Sequence, residues 1–134
     1  MNFLYVAIGS AAGGLARFAV GTWLQRAYEE APRDTMLAFP LGTFVVNVSG
    51  SFLLGIILIL TSKSGMNSPA RLFLAVGVCG GYTTFSTFSA DTVALVESGS
   101  PGLAALNVVG SVGVALVAVF AGAFVARLFL GRVA

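Results

Sequence analysis

Gly77-Val78-Cys79-Gly80-Gly81-Tyr82-Thr83-Thr84-Phe85-Ser86-Thr87-Phe88-Ser89 interrupts a chain otherwise apolar enough to lie in lipid. Glycines, hydroxyls and two phenylalanines three residues apart stand where an uninterrupted membrane helix would be uniformly greasy. In hydrocarbon, every backbone N–H and C=O that leaves a helix must find a partner in the protein or in a water-filled cavity. A broken helix at membrane depth therefore marks an ion or substrate site. The stretch sets the fold class: an all-α membrane protein whose third transmembrane helix is broken near residues 80–84.

Composition supports the same reading. Of 134 residues, 57% are hydrophobic and only 9% are charged, against roughly 25% charged in soluble domains. Mean hydropathy is +0.98. Residues 35–62, 72–90 and 98–126 carry no charged side chain, and each approaches or exceeds the ~20 residues that cross a bilayer. Residues 1–25 form a fourth span that contains Arg17. That segment does not read as a cleaved leader, since it lacks a basic start and its apolar run is too long. Net charge is +2, too small and too scattered for nucleic acid. The single cysteine, Cys79, forms no intrachain disulfide and belongs to no metal-ligand cluster. With no histidine and five carboxylates, the groups for acid–base or metal-dependent catalysis are nearly absent. An enzyme is not expected.

One domain, residues 1–134, holds helices at about 2–26, 37–61, 69–97 and 101–130. Pro69 suits the first turn of the third, and Ser98-Gly99-Ser100-Pro101-Gly102 reads as a tight turn before the fourth. An even number of spans puts both termini on one side. That side carries Lys63, Arg71, Arg127 and Arg132, and the other Arg26 and Arg33. Four against two is a weak orientation signal. It is compatible with an ordinary inward bias or with insertion both ways as an antiparallel dimer.

Polar residues recur at helical spacing. Gly9, Gly13, Arg17 and Gly21 share a face of the first helix, where small residues let a second helix approach. An arginine in mid-bilayer costs about 2.5 kcal/mol or more, so Arg17 must face protein or water. It either satisfies carbonyls of the broken helix or attracts an anion. The first role is favoured, because a fixed charge in a narrow pore would trap an anion. In the second helix, Thr43, Asn47, Gly50, Ser51 and Leu54 fall together. The Asn47 amide has two N–H donors that could serve an anion or another helix. Phe85 and Phe88 fall near one face, with Thr84 and Thr87 at similar spacing. Ring edges are electropositive, so the pair could line an anion site. Carbonyls at residues 80–83 suit a small hard cation. Asp91, one turn past Phe88, is a helix-terminal residue or a polar group at the mouth of a pathway. Asn107 and Ser111 form a looser stripe on the fourth helix.

Gly14-Leu15-Ala16-Arg17, Asn47-Val48-Ser49-Gly50-Ser51-Phe52 and the residue 77–89 motif together resemble the fluoride channels of the Fluc (CrcB) family. The resemblance covers the whole chain in length and span count. It implies an antiparallel, dual-topology homodimer in the plasma (inner) membrane, with two fluoride pores and a central structural Na⁺. Its implied fluoride pathway is Asn47, Phe85 and Phe88, joined by Thr84, Thr87 and Ser111. The carbonyls of Gly80 and Thr83 would hold Na⁺ with those of a second subunit. Arg17 matches the family's first-helix arginine. Asp91 departs from the pattern, since glutamate is frequent there; aspartate keeps the charge and shortens the reach. The implied partners are fluoride, sodium, lipid and a second copy of the chain.

The alternative is a small dual-topology multidrug exporter, also with four helices. A proton-coupled carrier of that kind needs a titratable acid deep in the membrane, and the first helix offers Arg17 instead. A scaffold subunit would leave amide and hydroxyl stripes on three helices without a reason. Ser86 and Ser89 have no neighbouring base to make them nucleophiles.

Overall fold

The structure is a computed structural model, and it describes residues 2–29, 39–62, 65 and 67–131. Described residues form helices and turns: α1 (Asn2–Glu29), α2 (Leu41–Leu60), α3 (residues 69–82), α4 (Phe85–Glu97) and α5 (Pro101–Gly131). Four segments are long and apolar enough to cross a membrane: Asn2–Leu24, Leu41–Leu60, Pro69–Glu97 (α3 and α4 together) and Pro101–Leu130. The chain is a multi-pass membrane protein with its third span broken. Arg33, Lys63 and Arg132 of the charge asymmetry lie outside the described residues, as do residues 37 and 38 of the expected second helix.

Local chemistry sets the ends. The second helix begins at Leu41 rather than near residue 37, with Pro40 at its N-cap. Proline has no N–H to donate and biases the residue before it away from helical geometry. The first helix runs a turn past residue 26, to Glu29. Ser68 caps α3, its Oγ accepting from Arg71 N at 3.4 Å, with Pro69 in the first turn. The α4–α5 corner is a Schellman motif. Gly99 stands at φ +77°; its N–H bonds Val96 O at 3.0 Å, and Ser100 N–H bonds Leu95 O at 2.9 Å. Only glycine takes that φ without strain.

Close packing of the helices relies on backbone meeting backbone. α1 lies along α3, and α2 along α5. A Cβ on Gly77 would come within 2.8 Å of Gly9 Cα, and one on Gly13 would strike Val78 O and Tyr82 N. Gly9 and Gly13 of the expected small-residue stripe are therefore the seat of α3, while Gly21, further along, lies beside Gly42 of α2. Within α3, Leu72–Cys79 is wound as a π-helix, a rare, wide form that is frequent at functional sites. On the other side of the bundle, Gly55 abuts Val119 O and Ala123 N, while Gly122 abuts Phe52 O and Ile56 N.

Candidate functional site at the broken helix

The break falls on two residues. Thr83 and Thr84 are extended, with ψ of 157° and 120°, while Gly80–Tyr82 stays α-helical. It therefore sits at the end of the double-glycine stretch rather than on the glycines. Two consecutive β-branched residues prefer extended backbone, and the hydroxyl of Thr84 caps α4. Its Oγ1 accepts from Thr87 N at 3.2 Å and donates to Thr87 Oγ1 at 3.0 Å.

Leaving the helix releases backbone groups, and α2 catches them. Asn47 Oδ1 accepts from Thr84 N at 2.8 Å, and Asn47 Nδ2 donates to Thr84 O at 3.0 Å. In a continued helix, Thr84 N–H would go to the Gly80 carbonyl and Thr87 N–H to the Thr83 carbonyl. Here both donors go elsewhere, so those two carbonyls lose their helical partners. Arg17 Nη1 donates to Thr83 O at 3.4 Å, which puts the α1 guanidinium against the break. Tyr82 OH lies 3.1 Å from Ser49 Oγ and steadies the last turn of α3 against α2.

Two cavities open on either side of this clamp. One, of about 590 Å³, is bordered by Arg17, Thr43, Thr84, Thr87 and Asp91. Within it Thr43 Oγ1 donates to Asp91 Oδ2 at 2.6 Å, so Asp91 joins α4 to α2 rather than ending a helix at the interface. The other, of about 320 Å³, is bordered by Asn47, Thr84, Phe85, Phe88 and Ser111, and reaches Gly80 and Thr83. Thr84 borders both and stands between them, with the Asn47 amide on its backbone.

Of the pathway residues expected from sequence, Asn47, Thr84, Phe85, Phe88 and Ser111 meet in the smaller cavity. Thr87 does not; it lies in the larger one, with Arg17 and Asp91. The rings of Phe85 and Phe88 are 5.4 Å apart at 40° but differ in setting: Phe88 is buried at 9% exposure, Phe85 stands open at 77%. Ser49, Tyr82 and Thr92 carry hydrogen bonds at the site that sequence reasoning did not assign. Thr92 had one signal, its place one turn after Phe88, whose carbonyl it bonds at 2.8 Å.

Fold and site define a class: a small four-span membrane protein with an uncharged, mostly apolar groove that carries an amide and a few hydroxyls at a broken helix. The family model described as CrcB-like protein, Camphor Resistance (CrcB), matches residues 4–123, and the chain belongs to that family. It is 45% identical over 128 residues to "Fluoride-specific ion channel FluC 2" of Nitrobacter hamburgensis, covering 95% of this chain and 98% of the relative. It is 46% identical over 123 residues to "Fluoride-specific ion channel FluC" of Rhizobium meliloti (90% and 92%). The protein of that name from Thermus thermophilus is 42% identical over 121 residues, 90% of each chain.

Proposed function

We infer that the chain is a fluoride-selective channel in the plasma membrane, through which fluoride leaves the cell passively. It is a channel and not an enzyme. One observation carries the reading: an amide, hydroxyls and two phenyl rings border an uncharged groove at the break, in a chain 42–46% identical to relatives named fluoride-specific ion channels. An anion entering by the larger cavity, where Arg17 is held on the Thr83 carbonyl, reaches the groove past Thr84. There one Asn47 N–H remains, since an amide has two and Thr84 O takes only one. Phenyl edges add partial positive charge without the trapping strength of a full cation. A lining of this kind favours a small, strongly hydrated anion over a larger one such as chloride.

Purified protein in liposomes should release fluoride to an electrode and retain chloride. Proton-coupled efflux of organic cations with no fluoride leak would support the exporter alternative instead. Phe85 gives a sharper test. Its ring is open to the surroundings in the single chain, so Phe85→Ala should leave the protomer folded. An aromatic contact is worth about 0.5–1.5 kcal/mol, so fluoride flux should fall about two- to tenfold. Parent flux in the variant would make Phe85 a packing residue only.

The working assembly is an antiparallel homodimer with Na⁺ on its two-fold axis. Gly80 supports this: it is exposed, nothing among the described residues lies within 4 Å of where its Cβ would be, and its carbonyl has lost its helical donor. The Thr83 oxygen takes one long bond from Arg17 and keeps a second lone pair. Carbonyl oxygens suit a hard cation, and a two-fold axis doubles two into four. When bound, Na⁺ would neutralise the carbonyl dipoles of the break. In a Cys79→Ala background, Ser98→Cys should react with impermeant thiol reagents from both sides of the membrane. Labelling from one side alone would rule the antiparallel arrangement out.

A further inference from the structure

A chain of three hydrogen bonds runs from α5 into α4 with a single direction. Thr92 Oγ1 donates its only proton to the Phe88 carbonyl at 2.8 Å. It meets Asn107 as an acceptor, and Asn107 Nδ2 donates to it at 2.9 Å. The amide is thereby oriented with Oδ1 toward Ser111, whose Oγ donates to it at 3.1 Å. Asn107 is 1% exposed and Ser111 6%, and among the described residues no buried side-chain polar atom lacks a partner. A serine has one proton and two lone pairs. With that proton held by Asn107, Ser111 turns only lone pairs toward the groove it borders with Phe88 and Asn47.

We propose that Asn107 is a positioning residue for the anion pathway, setting through Thr92 whether Ser111 can offer its O–H to fluoride. The proposal rests on the fluoride-channel reading. An anion at Ser111 must draw the hydroxyl away from Asn107 Oδ1, leaving a buried acceptor unpaired, so Ser111 binds it weakly and releases it readily. Rapid passage needs that balance, since a site that binds too well does not let go. The amide can turn over to relieve it only if Thr92 withdraws its proton from the Phe88 carbonyl to meet Oδ1, so the Thr92 bond to Phe88 O holds the direction.

Thr92→Val, which keeps the shape and removes the hydroxyl, lets the amide rotate and offer Nδ2 to Ser111 Oγ. The serine proton is then released to the groove. The fluoride concentration giving half-maximal efflux from liposomes should fall about five- to tenfold, the equivalent of one net hydrogen bond. Thr92→Ser should keep the parent value. Asn107→Leu, which cannot hold the proton either, should move the constant in the same direction and supplies the test if Thr92→Val does not fold. In a Ser111→Ala background, either change should leave the constant where Ser111→Ala puts it. An unchanged constant in Thr92→Val, or the same shift with Ser111 absent, would overturn the proposal. Absence of fluoride efflux from the unmodified protein would overturn the channel reading itself, and is separately visible.

Discussion

Asn47→Asp should abolish fluoride efflux while leaving a protein that still purifies. The carboxylate keeps the bond from Thr84 N–H, which Asn47 Oδ1 accepts at 2.8 Å. It loses the donor to Thr84 O at 3.0 Å and sets an oxygen against that carbonyl instead. It also places negative charge in the groove. A unit charge about 4 Å from a passing anion repels it by about 4 kcal/mol at an effective dielectric near 20, close to a thousandfold in rate. Asn47→Leu is the complementary change. It adds no charge but leaves the Thr84 N–H and C=O unpaired, at about 1–3 kcal/mol each, so folding should suffer together with flux. Efflux per purified protein and a thermal melt in detergent separate the two effects. If Asn47→Asp melts as the parent does and conducts at the parent rate, Asn47 is a clamp and nothing more.

Gly13→Val is expected to break the fold at the α1–α3 contact. The new Cβ would run into Val78 O and Tyr82 N, backbone atoms that cannot rotate aside. Overpacking a core typically costs about 1–3 kcal/mol, and here the strain falls on main chain next to the break, so the upper end or beyond is expected. Separating α1 from α3 also withdraws Arg17 from Thr83 O, so the loss should extend to flux. Gly14→Val is the contrast, since nothing among the described residues lies within 4 Å of a Cβ there. Size-exclusion profiles and melts should show the first variant aggregated or strongly destabilised and the second near the parent. Equal behaviour of the two would mean that α1 does not seat on α3 through Gly13.

The same residues show where sequence reading reached and where it stopped. Four spans were legible because hydrocarbon demands about 20 apolar residues from any helix that crosses it, and that demand is written into each span separately. The broken third helix was legible too: a double glycine, two threonines and the hydroxyls after them are poor material for a membrane helix. Arg17 had to face protein for electrostatic reasons alone. None of these conclusions needs a partner segment.

The site needed one. Asn47 and Thr84 are 37 residues apart in sequence, and their meeting depends on how α2 is rotated and how deep α3 sits in the bundle. Helical spacing grouped Thr84 with Thr87, and the two are hydrogen-bonded on the larger cavity, but only Thr84 also reaches the smaller one with Phe85 and Phe88. Phe85 and Phe88 looked equivalent, yet packing buries one and leaves the other open. The direction of the Ser111–Asn107–Thr92 chain was invisible, because residue identity does not say which lone pair meets which proton. Hydropathy is a property each segment carries by itself, so the sequence alone determined a four-span protein with a broken third helix. Hydrogen-bond partners belong to pairs brought together by packing, so only the tertiary structure decided what holds the break and which polar groups face the groove.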